Sequence, residues 1–201
     1  MQSINYLNNE YQPSKIICVG RNYAEHIKEL NNQNPEELVL FLKPNSSVSR
    51  EVKLPEGRCR YEGEISFLMK NGKISGVGFG IDLTLVDVQN RLKEKGLPWE
   101  KAKAFNGSAV FSDFVEVEEV NNLSLKLYLN DKLCQDGGIE LMIYKPADII
   151  DEVKKHFSIE DYDIIMSGTP SGVGFLENRD IIRGEIFAGK DLLIAEKWQI
   201  K

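Results

Sequence analysis

An α+β fold, built on a β-rich mixed sheet with short flanking helices, is predicted by three features of this 201-residue chain. Strand-like runs outnumber helical ones and are not interleaved with them as in a doubly wound fold. Residues 60–69 alternate, with Tyr61, Ile65, Phe67 and Met69 apolar and Glu62, Glu64 and Ser66 polar, which predicts a half-buried strand. The next residues, Lys70-Asn71-Gly72-Lys73, hold the Asn-Gly pair of a tight hairpin, and a glycine-rich strand over 74–81 returns to Asp82.

The other elements follow in order. Residues 1–15 are polar and asparagine-rich and read as an arm or short hairpin ahead of one domain over 16–201. Ile16-Ile17-Cys18-Val19 is a compact apolar strand closed by Gly20, and Ala24, Glu25, Lys28, Glu29 and Leu30 favour a helix. Asn31-Asn32-Gln33-Asn34-Pro35 is a polar break of the kind that makes a mobile loop, before the apolar run 38–42 and a turn over 43–47. Thr84, with Asp87 three residues on, reads as the cap of a helix whose apolar stripe is Leu85, Val88 and Leu92 and which Gly96 and Pro98 stop. Strands are expected over 109–117, 123–129, 132–135 and 192–195. Residues 146–157 have helical spacing with Ile149, Ile150 and Val153 inward, and His156 in the last turn is explained by the helix dipole.

Composition excludes several classes. Hydrophobic residues at 42% and charged residues at 28% are ordinary for a globular chain. The net charge of −6 argues against a nucleic-acid surface. Cys18, Cys59 and Cys134 are odd in number and lack a Cys-x-x-Cys pairing, so neither a disulfide framework nor a thiolate zinc site is expected. The first ten residues lack the basic start and apolar stretch of a secretory signal, and no run of about eighteen apolar residues suits a membrane. The expectation is a soluble cytoplasmic protein.

Chemistry concentrates in two places. His26 and Glu29 stand three residues apart on the first helix, where a carboxylate can orient an imidazole for proton transfer, or simply form a solvated pair. Glu62 and Glu64 project from the same strand face, and Asp82 can come alongside through the hairpin. Such carboxylates either lie in water or share a cation. With no sulfur and no clustered histidine, the cation would be hard: Mg²⁺, Mn²⁺ or Ca²⁺ rather than zinc. The loop Ser167-Gly168-Thr169-Pro170-Ser171-Gly172-Val173-Gly174 lacks the Gly-Lys-Ser/Thr ending of a nucleotide loop and reads as a turn.

Six blocks in order strongly resemble the fumarylacetoacetate hydrolase family: Gly20-Arg21-Asn22-Tyr23 with His26 and Glu29, Phe41-Leu42-Lys43-Pro44, Tyr61-Glu62-Gly63-Glu64, Asp82-Leu83-Thr84 with Asp87 and Gln89, Lys95-Gly96-Leu97-Pro98-Trp99 with Lys103 and Phe105, and the 167–174 loop. The resemblance covers residues 16–190 and is nearest the acylpyruvate hydrolase and oxaloacetate decarboxylase branch. It implies the family's C-terminal-domain fold and a homodimer, with Mg²⁺ or Mn²⁺ held by Glu62, Glu64 and Asp82. Domain 16–201 would then be the catalytic unit. His26 and Glu29 would activate a water, Lys103 would steady an enolate, and Arg21, Gln89 and Thr169 match substrate-contacting positions. The implied reaction is carbon–carbon cleavage in a small 2-oxo or 1,3-dicarbonyl acid, by hydrolysis or decarboxylation. Rivals are isomerisation of a 2-oxo-3-enoic acid, tautomerisation of oxaloacetate, and an inactive binding module on the same fold.

The chain departs from the family at Val86, where an arginine is common, at Gly137-Gly138-Ile139-Glu140, and at Glu177-Asn178-Arg179-Asp180. These departures bear on the substrate more than on the carboxylate triad, which is intact.

Overall fold

The computed structural model describes residues 1–30 and 36–201. The polar break expected over 31–35 lies outside the described residues. The chain opens with a hairpin of β1 (Ile4–Tyr6) and β2 (Asn9–Tyr11), turned by Leu7 and Asn8 in left-handed backbone. Ile4 and Tyr6 are buried. There follow β3 (Lys15–Gly20), α1 (Ala24–Glu29), β4 (Val39–Pro44), a 3₁₀ turn over Asn45–Ser47 and β5 (Val48–Ser49). Next come β6 (Cys59–Tyr61), β7 (Gly63–Lys70), β8 (Lys73–Asp82), β9 (Thr84–Leu85), α2 (Val86–Glu94) and α3 (Glu100–Lys103). The rest comprises β10 (Ala109–Phe111), β11 (Val115–Glu116), β12 (Leu123–Leu129), β13 (Lys132–Gly138), α4 (Pro146–His156), β14 (Ile164–Met166), β15 (Gly174–Phe175), β16 (Ile181–Ala188) and β17 (Asp191–Gln199).

An eight-stranded mixed sheet runs β4-β3-β14-β7-β8-β10-β5, with β11 also paired to β8. β3 and β14 are parallel, as are β10 and β5; the other pairings are antiparallel. An antiparallel sheet of order β13-β12-β16-β17 packs against it, and β15-β6-β9 forms a small flanking sheet. Asn71 and Gly72 both take positive φ, as the β7–β8 hairpin turn requires. Ile65, Phe67, Phe79 and Ile81 on one face of that hairpin join a core with Leu125, Leu127, Ile182 and Ile186. Each large apolar side chain so buried stabilises by roughly 1.5–3 kcal/mol.

Several expectations need correction. The segment 60–69 is not a half-buried strand: it breaks at Glu62, and its second face is also buried, because Leu68 packs into a second core with Ile4, Tyr6, Ile16, Phe111 and Met166. Thr84 does not cap α2; it lies in β9, and Leu85 is the N-cap residue. The inward side of α2 is Val86, Gln89 and Leu92 rather than Leu85, Val88 and Leu92. The strand expected over 109–117 is two short ones. No helix among the described residues is long and apolar enough to cross a membrane.

Candidate active site

One end of the large sheet gathers the polar groups, and strand direction is the reason. β3 and β14 run parallel, so the 20–23 turn and the 167–174 loop leave the sheet side by side. β7 starts at this end and β8 finishes there, with Gly63 paired to Ile81. Asn22 laces the turn to the loop: its Nδ2 donates to the carbonyls of Ser167 at 2.9 Å and Tyr144 at 3.1 Å.

Glu62, Glu64 and Asp82 converge as the sequence suggested. Each offers a carboxylate oxygen within 4.8 Å of the others, and all three are buried. The Asp82 N–H donates to the Glu62 carbonyl at 2.8 Å, which fixes the strand break beside the end of β8.

The three carboxylates have different surroundings. Glu62 Oε1 accepts from Arg60 Nε at 2.9 Å and Nη2 at 2.5 Å, while Oε2 accepts from Lys103 Nζ at 2.7 Å. Burial pushes the Glu62 pKa up, but the Lys103 and Arg60 charges outweigh it and hold the carboxyl well below the usual range. Asp82 Oδ2 accepts from Lys103 Nζ at 2.7 Å. Asp82 Oδ1 is ion-paired with Lys43 Nζ at 2.8 Å, an ammonium that also donates to the carbonyls of Lys103 and Ser108 and to Ser108 Oγ. Glu64 accepts only from the Gly168 N–H, at 2.8 Å, and has no cationic partner among the described residues. Burial, reinforced by the charges of Asp82 and Glu62, pushes its pKa well above the ordinary value. For Lys103, burial disfavours the charge, and Asp82 and Glu62 more than restore it, so its pKa is raised.

This donor set fits a hard divalent ion. All three offer carboxylate oxygens within reach of one another, and Glu64, with no cationic partner among the described residues, lacks the positive charge its ionised form needs.

The dyad is also assembled. His26 Nδ1 stands 3.1 Å from Glu29 Oε2, and Glu29 Oε1 accepts from the Gly172 N–H at 3.0 Å. Gly172 has φ +98°, and a Cβ there would run into the Cys134 carbonyl. His26, Arg21, Gln89, Lys103 and Thr169 line the same cavity as the carboxylates. Arg21 holds a left-handed φ of +58°, unusual for a non-glycine residue. Gln89 is buried with Oε1 3.5 Å from Arg60 Nη2. Thr169 Oγ1 donates to the Gly63 carbonyl at 2.9 Å and accepts from Gln135 Nε2 at 2.7 Å, so its hydroxyl braces the start of β7.

Sequence reasoning missed Arg60, Lys43 and Lys93. Arg60 had a signal, because 60, 62 and 64 share the strand period of two. Lys43 stood in a recognised block but read as part of a turn; it is fully buried, with partners some sixty residues along the chain.

A mixed sheet that gathers buried carboxylates, two ammonium groups and a histidine–glutamate pair at one end sets the chain among enzymes. Residues 15–195 match the fumarylacetoacetate (FAA) hydrolase C-terminal family, and the chain belongs to that family. It is 37% identical over 191 residues to oxaloacetate tautomerase YcgM of Escherichia coli (strain K12), covering 85% of this chain and 87% of that protein. With the mitochondrial oxaloacetate tautomerase FAHD1 of Bos taurus, identity is 36% over 205 residues, covering 92% of this chain and 91% of that one. The crystal structure of fumarylpyruvate hydrolase from Pseudomonas aeruginosa in complex with Mn²⁺ and pyruvate superposes with a TM-score of 0.88 at 25% identity, covering 99% of this chain and 95% of that chain.

Proposed function

We propose that this protein is a divalent-metal-dependent enzyme of small 2-oxo acids, and that its reaction is the keto–enol tautomerisation of oxaloacetate. The observation that carries the proposal is the single cavity lined by Glu62, Glu64, Asp82, Lys103 and His26. Similarity to two oxaloacetate tautomerases supports the choice of reaction.

A Mg²⁺ or Mn²⁺ ion held by Glu62, Glu64 and Asp82 would supply Lewis-acid polarisation of the 2-oxo carbonyl and so acidify the adjacent carbon. Lys103 brings an ammonium to within 2.7 Å of two of those carboxylates, where it adds positive charge beside the oxygen that becomes the enolate. His26 moves the proton between C3 and that oxygen. Because Glu29 engages Nδ1, Nε2 is the nitrogen that exchanges it. Glu29 keeps the ring oriented and stabilises the imidazolium formed in the step, and the Gly172 N–H keeps Glu29 in place.

Carbon–carbon cleavage is the second reading. A His26–Glu29 pair facing buried carboxylates is also suited to activating a water for hydrolysis of an acylpyruvate, and the likeness to a fumarylpyruvate hydrolase favours it. Decarboxylation of oxaloacetate would need no such water.

Proton NMR of the Mg²⁺-supplemented protein with oxaloacetate, acetylpyruvate and fumarylpyruvate separates the outcomes. Tautomerisation converts enol to keto oxaloacetate with no pyruvate formed by the enzyme. Pyruvate from oxaloacetate would mean decarboxylation, and pyruvate plus a second acid from an acylpyruvate would mean hydrolysis. No acceleration with any of the three would overturn the proposal. Assembly as a homodimer belongs to the same proposal, and sedimentation at the mass of one chain would overturn that part.

A further inference from the structure

We infer that Lys93, with Arg60 beside it, forms the subsite for the distal carboxylate of a dicarboxylic 2-oxo acid. The inference rests on the function proposed above and adds the residues that select the substrate's second charge.

The helix α2 turns Gln89 and Lys93 toward the cavity, the spacing i, i+4 of one helical face. Val86 and Gln89 are buried and Lys93 is half-buried, while Arg91 in the same last turn is exposed. A cation at the carboxyl end of a helix is favoured by the helix dipole, but Arg91 already serves that purpose in water. Lys93 has been turned inward instead.

There it meets more cations. Lys93, Arg60, Arg21 and Lys103 line one cavity, and among the described residues neither Lys93 nor Arg21 has a carboxylate partner. The Lys93 ammonium sits 5.4 Å from the centre of the Trp99 ring, a contact that steadies its position without neutralising its charge. Glu62 offers the opposing charge in the neighbourhood, and that carboxylate already takes hydrogen bonds from Arg60 and Lys103. Burial, with Arg21, Arg60 and Lys103, pushes the Lys93 pKa below the ordinary lysine value.

Lys93 and Arg21, gathered beside two further cations without a carboxylate partner of their own among the described residues, are costly for the free protein, and an anionic ligand relieves that cost. The near carboxylate and carbonyl of a 2-oxo acid belong with the triad and Lys103. A second carboxylate, one or two carbons further on, would bring the counter-charge that Lys93 lacks, with Arg60 as a further donor. Arg60 is suited to this because Nε and Nη2 both go to one oxygen, Glu62 Oε1, which leaves the guanidinium capacity for another acceptor.

The test uses two inert probes that differ only in that carboxylate, (S)-malate and (S)-lactate, titrated calorimetrically into Mn²⁺-loaded protein. The wild type should bind malate about ten- to one-hundred-fold more tightly than lactate, the scale of a charge-assisted pair. Lys93→Met should bring the two affinities close together while leaving lactate within about twofold, and Lys93→Arg should restore most of the preference. Lys93→Gln, with circular dichroism of each variant, covers a failure of the methionine variant to fold. A malate preference that persists in Lys93→Met, or is absent from the wild type, would overturn the inference. Oxaloacetate assays on the same preparations keep the two ideas apart. A Lys93-dependent malate preference in a protein inert toward every 2-oxo acid would sink the reaction and keep the subsite; an active enzyme whose preference ignores Lys93 would do the reverse.

Discussion

The two faces of the β7–β8 hairpin are equally withdrawn from water and do opposite things. One face presents Ile65, Phe67, Phe79 and Ile81 to the second sheet, and this burial stabilises the fold. The other carries Glu64 and Ser66, with Asp82 at the strand's end, and here burial raises the cost of charge. The contrast teaches that a buried fraction alone says little about stability; what is buried decides the sign. The apolar face supplies the rigidity that lets the polar face keep a carboxylate such as Glu64 without a cationic side chain.

Substitutions can break that contrast from either side. The largest effect is expected for Glu64→Gln. Turnover should fall by about a thousandfold or more, the scale of losing a main source of charge stabilisation. The metal-free protein should melt no lower than wild type, because glutamine removes the cost of burying a carboxyl that must either take up a proton or carry an unpaired charge. A lowered melting temperature in thermal denaturation would show that Glu64 serves the fold.

His26→Ala comes next. It should reduce kcat by about 10²–10⁴-fold, the range of a lost general base, while Mn²⁺ binding measured by calorimetry stays as in wild type. Turnover at the normal rate would remove the dyad from the mechanism.

On the apolar face, Phe79→Ala should cost about 3–5 kcal/mol in urea unfolding, since Phe79 is fully buried against Trp198 with ring centres 5.9 Å apart. The folded variant should still take up Mn²⁺. A loss below about 1 kcal/mol would mean that the inter-sheet core is not what holds the site rigid.

The smallest signal is a proton. Glu64 titrates well above the ordinary carboxylate value through burial and the charges of Asp82 and Glu62, so it is protonated at pH values where a free glutamate is ionised. Metal binding needs the ionised form. Mn²⁺ uptake should therefore release a proton, and affinity should weaken as pH falls through the Glu64 pKa. Calorimetry in buffers of different ionisation enthalpy reads this directly, and an enthalpy independent of buffer would contradict it.

Much of the site was legible because it is local. Glu62 and Glu64 are two apart on a strand, His26 and Glu29 are three apart on a helix, and the Asn71-Gly72 turn brings Asp82 back to them. What stayed hidden depends on distant partners. The strand Ile181–Ala188 went unread because Gly184 interrupts its apolar alternation; the structure explains that glycine, since a Cβ there would collide with the Phe79 ring. Ile164–Met166 is only three residues long and becomes a strand between β3 and β7. In the sequence, Lys93 is one of several cations near the end of a helical stretch, alongside Arg91 and Lys95. Only packing of α2 shows which way it is turned.

The central claim is that Glu62, Glu64 and Asp82 together hold one hard cation in the cavity they share with His26. Calorimetric titration of Mn²⁺ into wild type and Glu64→Gln, side by side, tests it most directly. The expected result is about one ion per wild-type chain and no saturable binding to the variant, the fold being unchanged by circular dichroism. Undiminished binding to Glu64→Gln, or none to the wild type, would contradict it.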